Sequence, residues 1–214
     1  MFQQLLDWLF PRHCFGCQVA GDYFCPACAG QLRRAAAGES DHFAAFAYDQ
    51  PALKQAIWKL KYSGVTSLAD RLGGLLADCL LEELTELSLF AGRQKILVVP
   101  VPLARGRRRE RGYNQSALLA QAIARRWPDH LSYRDDLVAK IKDTPPQVAM
   151  KSERARRANL RGAFQTPRPE LLKNRTVLII DDVVTTGATL DEISQVLRAQ
   201  GATVLTATLA RREI

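Results

Sequence analysis

The 214-residue sequence predicts an α/β fold, a parallel sheet flanked by helices, with a small four-cysteine module in front of it. Three observations predict it. From Phe43 onward, short apolar runs alternate with stretches of helical period. Two polar motifs, RGRRRERGYN and DDVVTTGATL, each leave an apolar run at its carboxyl end, where open parallel sheets hold ligands. Four of the five cysteines fall within CFGCQVAGDYFCPAC, residues 14 to 28.

The elements follow in order. MFQQLLDWLF reads as a short amphipathic helix with Phe2, Leu5, Leu6 and Leu9 on one side; Asp7 and the lack of a basic start make it a poor signal peptide. Cys14, Cys17, Cys25 and Cys28 form CxxC, seven residues, CxxC, a spacing that offers four thiolates to a tetrahedral zinc ion. A closed thiolate shell is structural, replacing a core too small to form alone. His13 reads as a bystander to it, and a thioredoxin-like redox role leaves the second pair unused. Cys79 reads as a buried helix residue. Residues 1–34 are assigned to this module and 35–214 to the α/β domain, across the linker QLRRAAAGESDH.

FAAFAYD begins a strand at Phe43. PALKQAIWKLKYSG is a helix with Pro51 in its first turn and Gly64 beyond its end. Residues 66 to 90 repeat leucine at helical spacing, and KILVVPVP is a buried strand stopped by prolines. After the arginine cluster, Asn114 caps a helix that ends before Pro128. A strand is expected near Leu137 to Ile141. Residues 142 to 170 are basic and proline-rich, with a short helical piece near Ser152 to Ala158. RTVLII is a strand, TLDEISQVLRAQ a helix closed by Gly201, and ATVLTATLA a final strand.

The formal charge of +8 suggests an anionic partner, set against ordinary solubility charge. No stretch approaches the roughly 20 apolar residues of a membrane-spanning helix, so no membrane insertion and a cytoplasmic location are expected.

The chemistry concentrates in VLIIDDVVTTGATL. The loop of Thr185, Thr186, Gly187, Ala188 and Thr189 runs into a helix N-terminus, whose free N–H groups and partial positive charge suit a phosphate. Asp181 and Asp182 would repel that phosphate; they suit vicinal sugar hydroxyls and outer contacts to magnesium. No glycine is followed by lysine, which excludes a Walker A loop, and GxGxxG is absent.

This pattern of four hydrophobics, two acids, a short apolar stretch and T-x-G-x-T resembles the 5-phosphoribosyl 1-diphosphate (PRPP) signature of type I phosphoribosyltransferases. With the four-cysteine module, KLKYSG at 59 to 64, VPVPL at 99 to 103, RGYNQS at 111 to 116, TPPQ at 144 to 147 and ERARRANLRGAF at 153 to 164, the chain resembles the ComF family, which includes competence-associated and GntX-like DNA-utilisation proteins. The resemblance implies a type I phosphoribosyltransferase-like sheet. Asp181 and Asp182 would bind the ribose hydroxyls, Thr185 to Thr189 the 5-phosphate, and Arg105, Arg111 and Gly112 would lie near the diphosphate. Lys142 would open a mobile loop running to Arg157 that closes over the diphosphate. It implies Mg2+ bound with PRPP, structural Zn2+, and displacement of diphosphate by an amine or base nitrogen, with Asp182 the modest candidate base. The acceptor pocket would lie between Asp41 and Gly64.

The same resemblance leaves a second class open: a non-catalytic accessory protein for DNA uptake that holds single-stranded DNA or DNA-uptake proteins through RGRRRER and KSERARRANLR, as a monomer or an oligomer. A solvated helix face or a diphosphate site accounts for those arginines as well.

Overall fold

The computed structural model describes residues 11–36, 42–90, 94–142 and 160–212, with the helix backbone alone over 82–90. The expected face of Phe2, Leu5, Leu6 and Leu9, the basic piece at 152–158 and the loop beyond Lys142 as far as 157 lie outside the described residues.

In the cysteine module, α1 (Pro26–Gly30) follows Cys25. The main sheet takes up β1 (Phe43–Ala47), β2 (Ile96–Pro100), β3 (Leu131–Tyr133), β6 (Thr176–Val184) and β7 (Thr203–Arg211), all parallel, in the order β1-β7-β6-β2-β3. The central strands read as continuous apolar runs because both their faces are covered. In β6, Leu178 and Ile180 enter one core while Val177 and Ile179 enter the other. The first core collects α2 (Pro51–Tyr62), α3 (Leu68–Phe90) and α5 (Gln115–Arg126); the second collects α6 (Ala188–Arg198) with the residues around β4 (Ala139–Lys140) and β5 (Phe164–Gln165).

Three expectations are corrected. The stretch from Leu137 to Ile141 contributes only Ala139 and Lys140, paired antiparallel with Phe164–Gln165 in a separate ribbon. The fifth strand of the main sheet is instead Leu131–Tyr133, docked on β2 with Ile96 opposite Leu131. Three residues on a sheet edge carry too little pattern to be read from sequence. The strand RTVLII does not stop before the acids: β7 continues beside it, pairing Asp181 with Thr208 and Val184 with Arg211. The segment after VPVP, expected as a loop near the diphosphate, is instead the helix α4 (Arg105–Arg111), closed by Gly112 at φ +81, whose N–H bonds Arg108 O at 2.9 Å.

The cysteine module packs on the N-terminal half of α3. Phe24 is buried, the Tyr23 hydroxyl and Ser67 Oγ lie 2.8 Å apart, and Arg71 pairs with Asp22 at 3.0 Å while donating to Phe24 O. Residues Arg33 to Ala35, expected as linker, hydrogen-bond beside β1, with Arg34 opposite Phe46.

Candidate functional site

A cavity of about 690 Å³ opens at the carboxyl ends of β2 and β6, as the topology of a parallel sheet requires. Asp181 and Asp182 lie on its floor, with Thr185, Gly187, Ala188 and Thr189 along one side. Thr186 does not line it; its Oγ1 is buried. At Gly187 the chain takes φ +77 and starts α6, and Gly187 as its N-cap has no side chain to cap the first turn. The first residues of a helix, Ala188 and Thr189, thus line the cavity, and a helix start is an arrangement that receives an anion.

The acids are held by residues distant in sequence. Ser116, at the start of α5, donates its hydroxyl to Asp181 Oδ1 at 2.7 Å, and the Asp182 N–H donates to the same oxygen at 2.9 Å. Lys61, at the end of α2, ion-pairs with Asp182 Oδ2 at 2.8 Å. Burial raises the Asp181 carboxyl, the neighbouring Asp182 charge raises it further, and together they push it to about 7 despite Ser116 and Lys61. Burial acts to lower the Lys61 ammonium, but the Asp182 carboxylate outweighs it and holds Lys61 above its ordinary value. One carboxylate is thus paired with a cation, and the other is poised to exchange a proton near neutrality.

Among the described residues, the cations around the cavity are Lys61, Arg107, Arg111, Lys140 and Arg212. Of the sequence candidates, Arg111 lines it, whereas Arg105, Gly112 and Lys142 do not. The helix explains the first substitution: Arg107 and Arg111 are four apart and share a face, which leaves Arg105 exposed. In the ribbon, Lys140 turns to the cavity over the Phe164 ring, while Lys142 donates to Arg161 O at 3.0 Å.

Beneath the Thr/Gly loop lies His42, which sequence reasoning passed over. Its Nδ1 is 2.9 Å from Thr206 Oγ1 and its Nε2 3.1 Å from Asp191 Oδ1. A lone histidine before a strand offers no local signal. Lys61 and Ser116 did stand within quoted segments, KLKYSG and RGYNQS, but their partners were invisible there.

The four cysteine sulfurs lie within 4.8 Å of one another, with Cys17 and Cys25 Sγ 3.7 Å apart. Tetrahedral zinc with bonds of about 2.3 Å needs sulfur–sulfur edges of about 3.8 Å, so this donor set fits zinc. Burial raises the Cys14 thiol, but backbone N–H groups from Cys25, Cys17 and Gly16 outweigh it and draw it down to about 6. The Cys25, Cys17 and Cys14 sulfurs push Cys28 up to about 12. Four crowded sulfurs cannot all ionise alone; a bound dication resolves the conflict. His13 is exposed and outside this cluster, and Cys79, half-buried in α3, donates to Leu75 O at 3.0 Å.

Residues 113–214 match the phosphoribosyl transferase domain model. The chain is 38% identical over 152 residues to the DNA utilization protein YhgH of Escherichia coli (strain K12), covering 71% of this chain and 63% of that protein. It is 42% identical over 108 residues to Competence protein F of Haemophilus influenzae, covering 49% of this chain and 44% of that one. It is 31% identical over 117 residues to Competence protein ComFC of Bacillus subtilis (strain 168), covering 54% and 44%. The match thus spans less than two thirds of the length of these relatives. Among solved structures, the allosteric regulatory enzyme of purine biosynthesis aligns with TM-score 0.41 at 16% identity, over 72% of this chain and 30% of that one. A hypoxanthine phosphoribosyltransferase from Staphylococcus aureus aligns with TM-score 0.37 at 16% identity, over 71% and 73%. Among the described residues, no helix is long and apolar enough to cross a membrane.

Proposed function

We propose that this chain, a member of the ComF-type family of phosphoribosyl transferase domain proteins that holds the DNA utilization and competence proteins, binds PRPP and transfers its phosphoribosyl group. The observation that carries this is the two-ended cavity: an acid pair on β6 and an uncapped helix start, joined by one short loop. Asp181 and Asp182 accept hydrogen bonds from the ribose hydroxyls. The N–H groups of the Thr185–Thr189 loop, with the Thr185 and Thr189 hydroxyls, hold the 5-phosphate. Arg107, Arg111 and Lys140, which line the cavity, neutralise the diphosphate.

Transfer forms a bond between an acceptor nitrogen and the anomeric carbon and breaks the bond from that carbon to the diphosphate oxygen. The bonding pair leaves with diphosphate, and the acceptor gives up its proton. The hard carboxylate oxygens of Asp181 and Asp182 suit Mg2+, which when bound with PRPP supplies further charge neutralisation of the leaving group. The chain's own work is positioning and electrostatics. Lys61 pairs with Asp182 and orients it, while the raised carboxyl of Asp181 is able to take up a proton near neutral pH.

Calorimetry with PRPP, with and without magnesium, tests the reading. Wild-type protein is expected to bind, and Asp181→Asn/Asp182→Asn to weaken binding by two orders of magnitude or more, as loss of charge-assisted hydrogen bonds implies. A wild type that does not bind PRPP leaves only the accessory reading, in which the outward arginines Arg105, Arg108 and Arg109 meet a DNA backbone.

The raised Asp181 carboxyl makes a separate prediction. Between the ordinary carboxylate value of 3.8 and about 7, the folded protein holds a proton that the unfolded chain has released. Stability therefore falls as pH rises through that window, and the cost is complete above it. Asp181→Asn removes the charge but not the shape. Urea unfolding at pH 8 should show the variant more stable than wild type by on the order of 1 kcal/mol, with the gap closing toward pH 4. An unchanged gap across that range would refute the assignment.

A further inference from the structure

His42 does not line the cavity, yet its ring stands against Gly187, in the loop proposed to hold the 5-phosphate. A Cβ on Gly187 would lie 2.5 Å from His42 Cδ2 and 2.6 Å from Nε2. The ring joins three parts of the fold. His42 precedes β1, its Nδ1 is 2.9 Å from Thr206 Oγ1 on β7, and its Nε2 is 3.1 Å from Asp191 Oδ1 on α6. Asp191 belongs to the first turn of α6, and its N–H donates to Gly187 O at 2.9 Å. The histidine therefore touches the phosphate loop twice, through Gly187 directly and through Asp191.

These partners let the ring change charge without moving. A carboxylate only accepts, so Nε2 carries a hydrogen toward Asp191. A hydroxyl both donates and accepts, so Thr206 satisfies Nδ1 whether that nitrogen is bare or protonated. Histidine is the side chain whose charge ordinarily changes between pH 5 and 8. Charged groups face it from two elements. On α6 the Asp191 carboxylate favours the protonated ring; on β7 the Arg211 guanidinium, which donates to His42 O, opposes it. A phosphate at the start of α6 adds negative charge that also favours the protonated ring. The same phosphate is repelled by Asp191, and an imidazolium beside Asp191 offsets that repulsion.

We propose that His42 is a positioning residue for the 5-phosphate: it supports the Gly187 turn and takes up a proton when the phosphate binds, offsetting Asp191. The proton comes from solvent and adds to Nδ1, and the Thr206 hydroxyl turns from donor to acceptor. The identity of the ligand rests on the PRPP reading, but the coupling needs only a phosphomonoester at the helix start, so ribose 5-phosphate serves as a second probe. A ring that merely fills space under Gly187 leaves phosphate affinity independent of its charge. The coupled ring makes affinity highest below the titration of the free ring. Affinity then falls as pH rises, until the bound ring has lost its proton as well.

NMR of the imidazole signals of the full chain reads the coupling directly, followed against pH without ligand, with ribose 5-phosphate, and with PRPP and magnesium. The chain has three histidines, His13, His42 and His130; the first and last are exposed, so His13→Gln and His130→Gln assign His42 by elimination. The His42 midpoint should rise by on the order of one pH unit when phosphate is bound, while the other two stay in place. Asp191→Asn should lower that midpoint in the ligand-free protein. Calorimetry then compares wild type with His42→Gln, whose amide can bond Thr206 and Asp191 but cannot titrate. Wild type should bind about 10-fold tighter near pH 5.5 than near pH 8.5, over and above the change the variant shows from the ligand's own phosphate and from Asp181. The NMR arm needs only variants at exposed sites, so it decides the matter even if His42→Gln does not fold. A His42 midpoint unmoved by bound PRPP overturns the coupling and leaves the PRPP reading intact. A midpoint that rises with ribose 5-phosphate in a protein that binds no PRPP upholds the coupling and sinks the transferase reading. Binding of neither probe overturns both.

Discussion

Replacing Gly187 with alanine is expected to cost about 2–4 kcal/mol of stability and to weaken PRPP binding by two orders of magnitude or more. Two effects add. The residue sits at φ +77, where a side chain costs roughly 1–2 kcal/mol. A methyl there would also lie 2.5 Å from His42 Cδ2 and 2.6 Å from Nε2, inside contact distance. His42 cannot slide away, since it is only 8% exposed and its two ring nitrogens meet Thr206 and Asp191. The strain must instead move the loop, and with it the N–H groups proposed to hold the 5-phosphate. Urea unfolding and PRPP calorimetry on Gly187→Ala measure both effects. Gly112→Ala is the control: it shares the positive φ, at +81, but a methyl there meets nothing, so only the backbone cost of about 1 kcal/mol should appear. His42→Ala/Gly187→Ala should regain part of the stability by making room. Equal losses at Gly187 and Gly112 would remove His42 from the explanation.

The second large effect is expected at the cysteine cluster. Purified protein should carry one zinc per chain, and Cys28→Ser should lose it, with a fall in stability of at least about 3 kcal/mol, or roughly 6–12 °C in Tm. The physical reason is that the segment around Phe15, Tyr23 and Phe24 is short and leans on α3 through few contacts, so the metal holds its shape. Without the metal, Phe24 no longer seals the end of the first core, and limited proteolysis should cut between residues 11 and 36 first. Cys79→Ser, outside the cluster, should keep its zinc. Retention of zinc by Cys28→Ser, or a metal-free protein that resists proteolysis there, would contradict a structural metal.

Much of this molecule was legible in its sequence wherever the signal is local. The helix from Pro51, the Asn114 cap, which accepts from the Ser116 N–H at 3.1 Å, and the closing strand all form as their patterns predict. The four cysteines converge as their spacing implies, because a knuckle folds within a few residues. The Thr/Gly loop meets a helix start because strand, glycine and helical period follow one another in fourteen residues of chain, VLIIDDVVTTGATL.

What the tertiary structure alone decided is how that loop and its acids are held and surrounded. Lys61 reaches Asp182 from another helix, Ser116 reaches Asp181 from a third, and His42 props Gly187 from just before the sheet's first strand. Whether Arg105 or Arg107, Lys142 or Lys140, faces the cavity depended on a helix and a ribbon whose orientation is set by packing. Backbone periodicity and turn chemistry are short-range and can be read along the chain; charge pairing and exposure depend on partners far away in sequence, and those are assigned only when the sheet brings its strand ends together.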